Sequence, residues 1–295
     1  MSEPSPTKFP VGDIPTVQPL GRIARKFKGL ADAGELGLIA YITAGDPSLE
    51  AAEKNVLAIA EAGADIIELG VPFSDPVADG PVIQRASERA LRSGTTLRGV
   101  IDLVGALRTH TDVPLVLFSY FNPILQMGLE RFAKEAAGAG ADGALVTDLT
   151  PEEAVEYRRI IRGHNLDAIF LAAPTSTDTR LAKIAEFSSG FLYLISRTGV
   201  TGTRDMLPED LPMLARRARQ FTKLPLAVGF GISQPSHVSM LRGVADAAVV
   251  GSALVAEIEK AQSPDAAVAA VADRVRTLKL ATRGAVDQCR QRPDG

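Results

Sequence analysis

Glu68 and Asp79 are the two carboxylates whose positions in the sequence best suit acid–base chemistry. Glu68 lies inside an apolar segment, between Ile67 and Leu69. Its side chain must therefore point either into the interior of a barrel or into the layer of helices that covers the strands. In either place an ionised carboxylate is costly unless it is paired, and its pKa rises toward neutrality. Such a pKa suits a general acid or base, whereas a structural ion pair is the alternative role for this glutamate.

Asp79 lies near the end of a long loop that runs from Val71 to Gly80 and contains two prolines. A loop of this kind, followed by a helix predicted from Pro81, can fold over a ligand. Its two aspartates, Asp75 and Asp79, could instead cap that helix, and we expect the capping role for Asp75.

Two glycine–serine pairs predict a binding site for a phosphate group. Gly231 with Ser233, and Gly251 with Ser252, each follow an apolar segment and precede a predicted helix. Glycine lets backbone N–H groups approach an anion, serine adds a hydroxyl donor, and the helix N-terminus adds a favourable dipole. The run Gly-Phe-Gly that ends at Gly231 lacks the third glycine of a dinucleotide-binding fingerprint.

The segment from Arg197 to Thr203 is rich in glycine and threonine and is typical of an active-site lid. Tyr41, Tyr120 and Leu145 lie at or near the ends of predicted strands and predict an apolar or aromatic floor on which a flat ring could stack. Side chains of these types also fill barrel cores, so packing is their alternative role.

The positions of the lysines and histidines argue against two other kinds of chemistry. None of the nine lysines follows the carboxyl end of a predicted strand, which disfavours a Schiff base. His110 and His164 precede strands and His237 lies within a helical stretch, so the histidines assemble no metal site or catalytic dyad. A magnesium site could still form from four carboxylates, Asp46, Glu68, Asp79 and Asp148, but we expect a site without metal.

Eight short apolar segments alternate with helical stretches along the chain. Most are continuous runs of apolar and β-branched residues, as expected for parallel strands covered on both faces. The segments are Leu38–Thr43, Asp65–Val71, Pro114–Tyr120, Gly143–Asp148, Ala168–Ala173, Phe191–Ser196, Leu224–Phe230 and Ala245–Val250. Eight such units predict an α/β fold, a single (β/α)8 TIM barrel, in which polar residues at the carboxyl ends of the strands form the active site.

A short motif ending in Ala-Asp precedes three of these strands, at Glu61–Asp65, Gly138–Asp142 and Arg242–Asp246. Each copy contains a glycine at which we expect a left-handed helix cap. Three copies at equivalent junctions indicate repeated βα units, with biased composition as the alternative explanation.

The expected organisation is a flexible, proline-rich tail over residues 1–20, a catalytic barrel over residues 21–283 and a polar tail over residues 284–295. Within the barrel, Ile23, Phe27 and Leu30 predict an extra helix between Gly21 and Gly34 that plugs the N-terminal end. A last helix is predicted from residue 265 to about residue 282.

Composition disfavours several classes of function. The chain has 32 Lys and Arg against 35 Asp and Glu, a net charge of -3, so nucleic acid is not an expected partner. No apolar run is long enough to span a bilayer, and the first 20 residues lack an apolar signal core, so neither a membrane nor secretion is expected. The single cysteine, Cys289, forms no intramolecular disulfide, which suits a cytoplasmic location.

The segment from Glu68 to Pro81 resembles the signature of the tryptophan synthase alpha chain family. Other segments resemble that family in the same order along the chain: Tyr41–Pro47, Tyr120–Ile124, Ser196–Gly202, Gly229–Ser233 and Gly251-Ser252. The resemblance, which covers roughly Gly21 to Thr282, implies a (β/α)8 barrel that cleaves indole-3-glycerol phosphate to indole and glyceraldehyde 3-phosphate in tryptophan biosynthesis. It implies no cofactor in this chain, and a pyridoxal-phosphate-dependent beta chain as partner, in an alpha2-beta2 complex.

The resemblance also implies roles for single residues. The family's catalytic glutamate and aspartate fall on Glu68 and Asp79, its lid threonine on Thr201 and its active-site tyrosine on Tyr193. Its phosphate ligands fall on Gly202, Phe230, Gly231, Gly251 and Ser252. Glu68 would protonate indole C3 and then accept the proton of the side-chain hydroxyl, while Asp79 would accept the indole N–H.

Three alternatives stay open on the sequence. The chain could be a free-standing indole-glycerol-phosphate lyase, a magnesium-dependent phosphosugar lyase, or a non-catalytic barrel that regulates a partner subunit. The intact pair Glu68 and Asp79 argues against the last of these.

Overall fold

The computed structural model describes residues 20–195, 210–229 and 231–283. Within these residues, strands and helices alternate along the chain. The strands are β1 (Gly37–Thr43), β2 (Ile66–Gly70), β3 (Leu115–Ser119), β4 (Gly143–Val146), β5 (Asp167–Ile169), β6 (Leu171–Ala172), β7 (Leu192–Ile195), β8 (Leu226–Gly229) and β9 (Ala247–Val250). The helices are α1 (Arg22–Ala33), α2 (Leu49–Glu61), α3 (Pro81–Arg92), α4 (Leu97–Arg108), α5 (Phe121–Met127), α6 (Leu129–Ala139), α7 (Val155–Gly163), α8 (Asp178–Phe187), α9 (Leu211–Ala218), α10 (Pro235–Met240), α11 (Ser252–Lys260) and α12 (Pro264–Leu280).

All strand pairs are parallel, and the strands follow the order β5-β4-β3-β2-β1-β9-β8-β7-β6. The two outermost strands, β5 and β6, are separated along the chain by Phe170 alone, so the sheet curls into a nearly closed barrel. The predicted TIM barrel is therefore confirmed. The predicted fifth strand, Ala168–Ala173, is split at Phe170, because its first part pairs with β4 and its second with β7.

The core has two layers, one inside the barrel and one between the sheet and its helices. Inward-facing side chains form one buried cluster: Ile39, Ile66, Val116, Leu145, Ile169, Phe191, Tyr193, Ala227, Ala247 and Val249. Ile23, Phe27 and Leu30 of α1 belong to the same cluster, and the ring of Phe27 lies 5.8 Å from that of Phe191. The predicted plug is therefore confirmed, and the carboxyl ends of the strands form the other, open face.

The three repeated junctions are confirmed as helix ends with a left-handed glycine. Gly63, Gly140 and Gly243 have φ values of 103°, 92° and 74°. An L side chain at these angles would be strained, so glycine is required for the chain to turn from helix to strand there.

The aspartate that ends each repeated junction holds neighbouring elements together at the plugged face of the barrel. Each carboxylate accepts the N–H of a residue at or beside the start of the adjoining strand, as in Asp65 with Leu38 at 2.8 Å, Asp142 with Leu115 at 2.8 Å and Asp246 with Leu226 at 2.6 Å. Each also pairs with a helix cation, respectively Lys279, Arg108 and Arg219. These aspartates thus lie far from the open face and act in the scaffold.

Two further boundaries bear on the predicted organisation. The last helix, α12, spans Pro264–Leu280, close to its predicted range. Residues 1–19 and 284–295, which make up nearly all of the two predicted tails, lie outside the described residues. None of the helices in the described residues is long and apolar enough to cross a membrane.

Candidate active site

Glu68 points into the barrel. Side chains alternate along a strand, and on β2 Ile66 belongs to the interior cluster whereas Ile67 and Leu69 belong to the layer beneath the helices. Glu68 therefore shares the inward face with Ile66. The sequence left two directions open for this glutamate, and the register of β2 decides between them.

The carboxyl of Glu68 is fully buried, and neither oxygen has a hydrogen-bond partner among the described residues. Because burial penalises the ionised form, it raises the pKa of Glu68 to about 8. The group is therefore largely protonated at neutral pH and can give up a proton to a bound molecule. A structural carboxylate in this position would need a cation beside it, and none of the ion pairs in the described residues involves Glu68.

Asp79 is held at the open face by Tyr120, the residue that follows β3. The Tyr120 hydroxyl donates to Oδ2 of Asp79 at 3.1 Å and accepts the backbone N–H of Ala78 at 2.9 Å. The Tyr120 ring stacks on Phe73, with their centroids 5.0 Å apart, so the loop between β2 and α3 is anchored at two places. Burial raises the pKa of Asp79 to about 6, and the hydrogen bond from Tyr120 opposes that rise.

The expected capping role of Asp75 is wrong. Helix α3 begins at Pro81 with Gly80 as its N-cap, and no side chain caps it. The carboxylate of Asp75 instead accepts a hydrogen bond from Ser74 at 2.5 Å. Asp79 does not cap the helix either, which leaves its carboxylate free for another role.

A cleft of about 130 Å³ opens at the carboxyl ends of the strands. Its walls include six residues predicted to form the site: Tyr41, Asp79, Tyr193, Gly231, Gly251 and Ser252. Glu68 lies beside the cleft, because it is the register partner on β2 of Tyr41 on β1, and Tyr41 lines the cleft. The two carboxylates therefore adjoin one cleft, and Tyr41 lies within the electrostatic reach of both.

The wall of the cleft formed after β8 and β9 has the features of an anion site. Helix α11 begins at Ser252, and its N-cap, Gly251, has no side chain to bind the N–H groups of Ser252 and Ala253, whereas the N–H of Leu254 already donates to the Gly251 carbonyl at 2.9 Å. Gly231 faces the same space from the segment after β8. Ser233, by contrast, is not among the residues that line the cleft, and its N–H donates to Nδ1 of His237 at 3.4 Å.

Two glycines make room for the tyrosines of the cleft. A Cβ atom built on Gly229 would lie 2.6 Å from the hydroxyl of Tyr193, and one built on Gly70 would overlap the hydroxyl of Tyr41. Any larger residue would displace these rings, so the close approach of the two tyrosines requires glycine at both positions.

The remaining predicted contacts have other locations. Leu145 is buried in the interior cluster and does not line the cleft, and Tyr120 reaches the site through Asp79. Thr201, Gly202 and Phe230, together with the predicted lid from residue 197 to residue 203, lie outside the described residues. Their roles stay predictions.

Three residues of the cleft were missed in the sequence, Ile83, Phe118 and Val249, while Gly229, which also lines it, belongs to the predicted segment Gly229–Ser233. Phe118 and Val249 share inward strand positions with Val116 and Ala247, so the alternation could have indicated them once the inward face was known. Ile83 comes from the first turn of α3 and carries no such signal. The ring of Phe118 meets that of Tyr41 edge-on at 5.2 Å, which makes this wall aromatic.

The four carboxylates considered for magnesium do not converge. Both carboxylate oxygens of Asp46 accept hydrogen bonds from one edge of the Arg89 guanidinium at 2.7 Å each, and Asp148 accepts the N–H of Phe121 at 2.7 Å. Among the described residues, no group of three or more His, Cys, Asp or Glu side chains could hold a metal ion. The cleft thus offers acid–base groups and an anion site.

A family model described as tryptophan synthase alpha chain matches residues 27–283 of this chain. The chain belongs to the tryptophan synthase alpha chain family. Among curated relatives, the tryptophan synthase alpha chain of Solibacter usitatus is 52% identical over 239 residues, covering 81% of this chain and 90% of the relative. That of Citrifermentans bemidjiense is 51% identical over 246 residues, covering 83% and 92%.

Solved structures of the same family share the fold. Tryptophan synthase subunit alpha from Legionella pneumophila superposes with a TM-score of 0.82 at 36% identity, covering 90% of this chain and 99% of that one. A chain of Mycobacterium tuberculosis tryptophan synthase gives a TM-score of 0.83 at 35% identity, covering 90% and 100%. The expected family and fold are therefore confirmed, and the tryptophan synthase alpha family places the chain among the lyases of tryptophan biosynthesis.

Proposed function

We propose that this chain cleaves indole-3-glycerol phosphate to indole and glyceraldehyde 3-phosphate by acid–base catalysis in the cleft at the carboxyl ends of the strands. The observation that carries the proposal is a fully buried Glu68, without a hydrogen-bond partner in the part of the chain that the structure describes, beside the cleft that Asp79 lines. Family membership supports the reaction class, and these two carboxylates supply the groups that the reaction needs.

Glu68 acts first as the acid. Its raised pKa of about 8 keeps a proton on the carboxyl at neutral pH, and this proton is transferred to C3 of the indole ring. Protonation makes the ring an electron acceptor, so the bond from C3 to the side chain can break with its electron pair returning to the ring. The carboxylate left on Glu68 then takes the proton of the side-chain hydroxyl as the aldehyde forms, which restores the starting state.

Asp79 stabilises the intermediate. Protonation at C3 leaves positive charge on the indole nitrogen, and an ionised carboxylate that accepts its N–H is the group that lowers the energy of this cation. With a pKa of about 6, Asp79 is largely ionised at neutral pH while Glu68 is not. The different surroundings of the two carboxyls thus keep the proton donor, Glu68, protonated and the group that stabilises the cation, Asp79, ionised.

We assign the phosphate of the substrate to the wall formed after β8 and β9. Gly231, Gly251 and Ser252 line the cleft there, and α11 directs its N-terminus at the same space. We assign Gly202 and Phe230 to the same phosphate site, Thr201 to the lid, and Tyr41, Tyr120 and Tyr193 to the surroundings of the indole, with Leu145 behind them in the interior cluster that includes Tyr193. The proposed chemistry uses no metal and no cofactor of this chain.

The family implies a beta chain as partner, and we propose that indole passes to it within an alpha2-beta2 complex. One of the structural neighbours is a chain of Mycobacterium tuberculosis tryptophan synthase. A partner that docks over the open face would close the cleft and retain the indole.

The test is an indole-release assay on the purified full-length chain with indole-3-glycerol phosphate, with and without a beta chain. Indole and glyceraldehyde 3-phosphate are expected in equal amounts, at a higher rate with the partner. Release that a beta chain leaves unchanged would indicate a free-standing lyase. The absence of indole under both conditions would refute the proposal.

A further inference from the structure

Arg89 on α3 connects two carboxylates that come from different parts of the barrel. Its Nε and Nη2 donate to the two carboxylate oxygens of Asp46 at 2.7 Å each, and its Nη1 donates to Glu259 on α11 at 2.8 Å. One turn earlier on α3, Arg85 grips both oxygens of Glu259 at 2.7 and 2.8 Å. We call these four residues, Asp46, Arg85, Arg89 and Glu259, the α3 brace.

The Asp46–Arg89 pair of the brace differs from an ordinary surface ion pair. The side chain of Asp46 is only 1% exposed, and its contact with Arg89 is bidentate, the geometry that gives planar ion pairs their strength and direction. Hydrogen bonds from Arg85 and Arg89 lower the pKa of Glu259 to about 2, so this carboxylate stays charged across the physiological range.

Each element joined by the brace carries one part of the proposed site. Asp46 follows β1, which carries Tyr41, while α3 begins two residues after Asp79 and α11 begins at Ser252. The same three elements meet again closer to the cleft, where Tyr41, Ala86 and Val255 form a buried cluster.

Helix α3 relies on these charges more than the next helix would, because its fully buried side chains are small. These are Ala86, Ser87 and Ala90, whereas Val82 and Ile83 are only partly buried against the Tyr41 cluster, and no side chain caps the start of the helix. The next helix, α4, buries six residues, Leu97, Val100, Ile101, Leu103, Val104 and Leu107. Large apolar side chains resist sliding through interlocked packing, whereas small ones leave a helix freer to shift.

We propose that Arg89 is a positioning residue: by holding α3 to Asp46 and Glu259, it sets where Asp79 stands relative to the phosphate-binding end at Ser252. The inference rests on the proposed function, since it concerns the distance between two parts of that site. A displacement of a reacting group by about 1 Å can cost up to about 100-fold in rate.

The test compares Arg89→Met with Arg98→Met in the full-length chain. Arg98 is the matched control, because it pairs with Asp102 and, at 2.7 Å, with Glu135, on a helix that large apolar residues hold in place. For Arg89→Met we expect kcat for indole release to fall about 10-fold, while KM changes less than about 3-fold because the phosphate grip is retained. Arg89→Lys, which keeps the charge and one hydrogen bond, should restore part of kcat, and Arg98→Met should leave both constants unchanged.

A second readout does not depend on turnover. Amide hydrogen exchange over residues 71–84, the loop with Asp79 and the start of α3, should accelerate in Arg89→Met and stay unchanged in Arg98→Met. If Arg89→Met does not fold, Glu259→Gln replaces it, because this variant keeps the buried pair with Asp46 and should show the same changes at smaller size.

The outcomes separate the inference from the proposed function. Unchanged kcat and unchanged exchange in Arg89→Met, or equal losses in Arg98→Met, would overturn the inference. If the wild-type chain releases no indole yet Arg89→Met alone accelerates exchange in residues 71–84, the proposed function fails while the placement of Asp79 by Arg89 stands.

Discussion

The hydroxyl of Tyr120 accepts the backbone N–H of Ala78 at 2.9 Å and donates to the carboxylate of Asp79 at 3.1 Å. A single side chain at the end of β3 thus holds in place an aspartate that lies 41 residues earlier in the chain, and opposes the rise in its pKa that burial causes. A hydrogen bond donated to a carboxylate favours its charged form and lowers its pKa.

We predict that Tyr120→Phe raises the pKa of Asp79 above its value of about 6, because the opposing hydrogen bond is lost. The acid limb of kcat/KM for indole release should then move to higher pH, and the rate near pH 6 should fall. The measurement is the pH profile of kcat/KM, which reports the free enzyme. Tyr157→Phe is the control, since the Tyr157 hydroxyl lies at 3.5 Å from a backbone oxygen of Ala144, away from the cleft. An acid limb that stays in place would remove Tyr120 from this role.

The second prediction concerns Glu68 itself. Glu68→Gln should lower kcat by at least about 100-fold, a typical size for the loss of a general acid or base, because an amide cannot transfer the proton. KM should change less, since the proposed phosphate site is formed by other residues, Gly231, Gly251 and Ser252. Steady-state kinetics of indole release measures both kcat and KM. Glu130→Gln is the control, because the carboxylate of Glu130 pairs with His164 outside the cleft. Near-normal turnover would exclude Glu68 from the mechanism.

Asp79→Asn should also impair turnover, because the amide carries no charge to stabilise the protonated indole.

The third prediction uses the same substitution to test burial. The pKa of Glu68 is raised from 4.5 to about 8, so above pH 4.5 the unfolded chain ionises this group while the folded chain does not. Stability from the retained proton is therefore lost as pH rises from about 4.5 to about 8. Glu68→Gln does not titrate, so its free energy of unfolding relative to the wild type should rise by on the order of 3 kcal/mol over that range. Urea unfolding at the two pH values measures it, and a difference that is constant with pH would show that Glu68 is not desolvated.

The sequence predicts the barrel well because its signals are local. Apolar runs, the glycine of each repeated junction and the amphipathic α1 depend on neighbours within a few residues, and the structure confirms them. The split of the fifth strand at Phe170 is different in kind. It arises where the sheet must close on itself, and no local pattern marks that place.

Some features of the site can likewise be predicted from the local sequence, whereas others depend on the folded arrangement. Glu68 and Asp79 stand out by residue type and context, but the direction of Glu68 depends on which face of β2 is inward. The capping role predicted for Asp75 is wrong, because helix α3 starts from Gly80 without a capping side chain. The partners of Arg89 lie 43 and 170 residues away along the chain, so the brace depends on the folded arrangement of three elements.

The fourth prediction is that dialysis against EDTA leaves indole release intact, and that borohydride added with substrate traps no adduct. The carboxylate of Asp46 is hydrogen-bonded by Arg89 and that of Asp148 by a backbone N–H. Two of the four carboxylates that could form a magnesium site are therefore already bound within the protein. No lysine is among the described residues that line the cleft, so no amine is placed to form a Schiff base. Activity that is lost to EDTA and restored by magnesium would favour a magnesium-dependent phosphosugar lyase instead.

The last prediction concerns the beta chain and the loop that holds Asp79. Val77, two residues before Asp79, is 87% exposed, so an apolar side chain faces solvent directly beside the proposed site. A partner that covers Val77 would favour the arrangement in which Asp79 is in place, and so raise the fraction of competent molecules. Val77→Asp should therefore weaken activation by a beta chain while changing the rate of the isolated chain by less than about 2-fold.

The measurement is indole release against increasing beta-chain concentration for the wild type and the variant. Leu280→Asp is the matched control, because Leu280 is an exposed leucine at the end of α12, and the neighbouring Thr282 hydrogen-bonds Leu36 just before β1, at the plugged face. A partner on the open face should be sensitive to Val77→Asp and insensitive to Leu280→Asp. Equal activation of both variants would show that the partner does not act through this loop, and a loss confined to Leu280→Asp would move its docking site to the plugged end of the barrel.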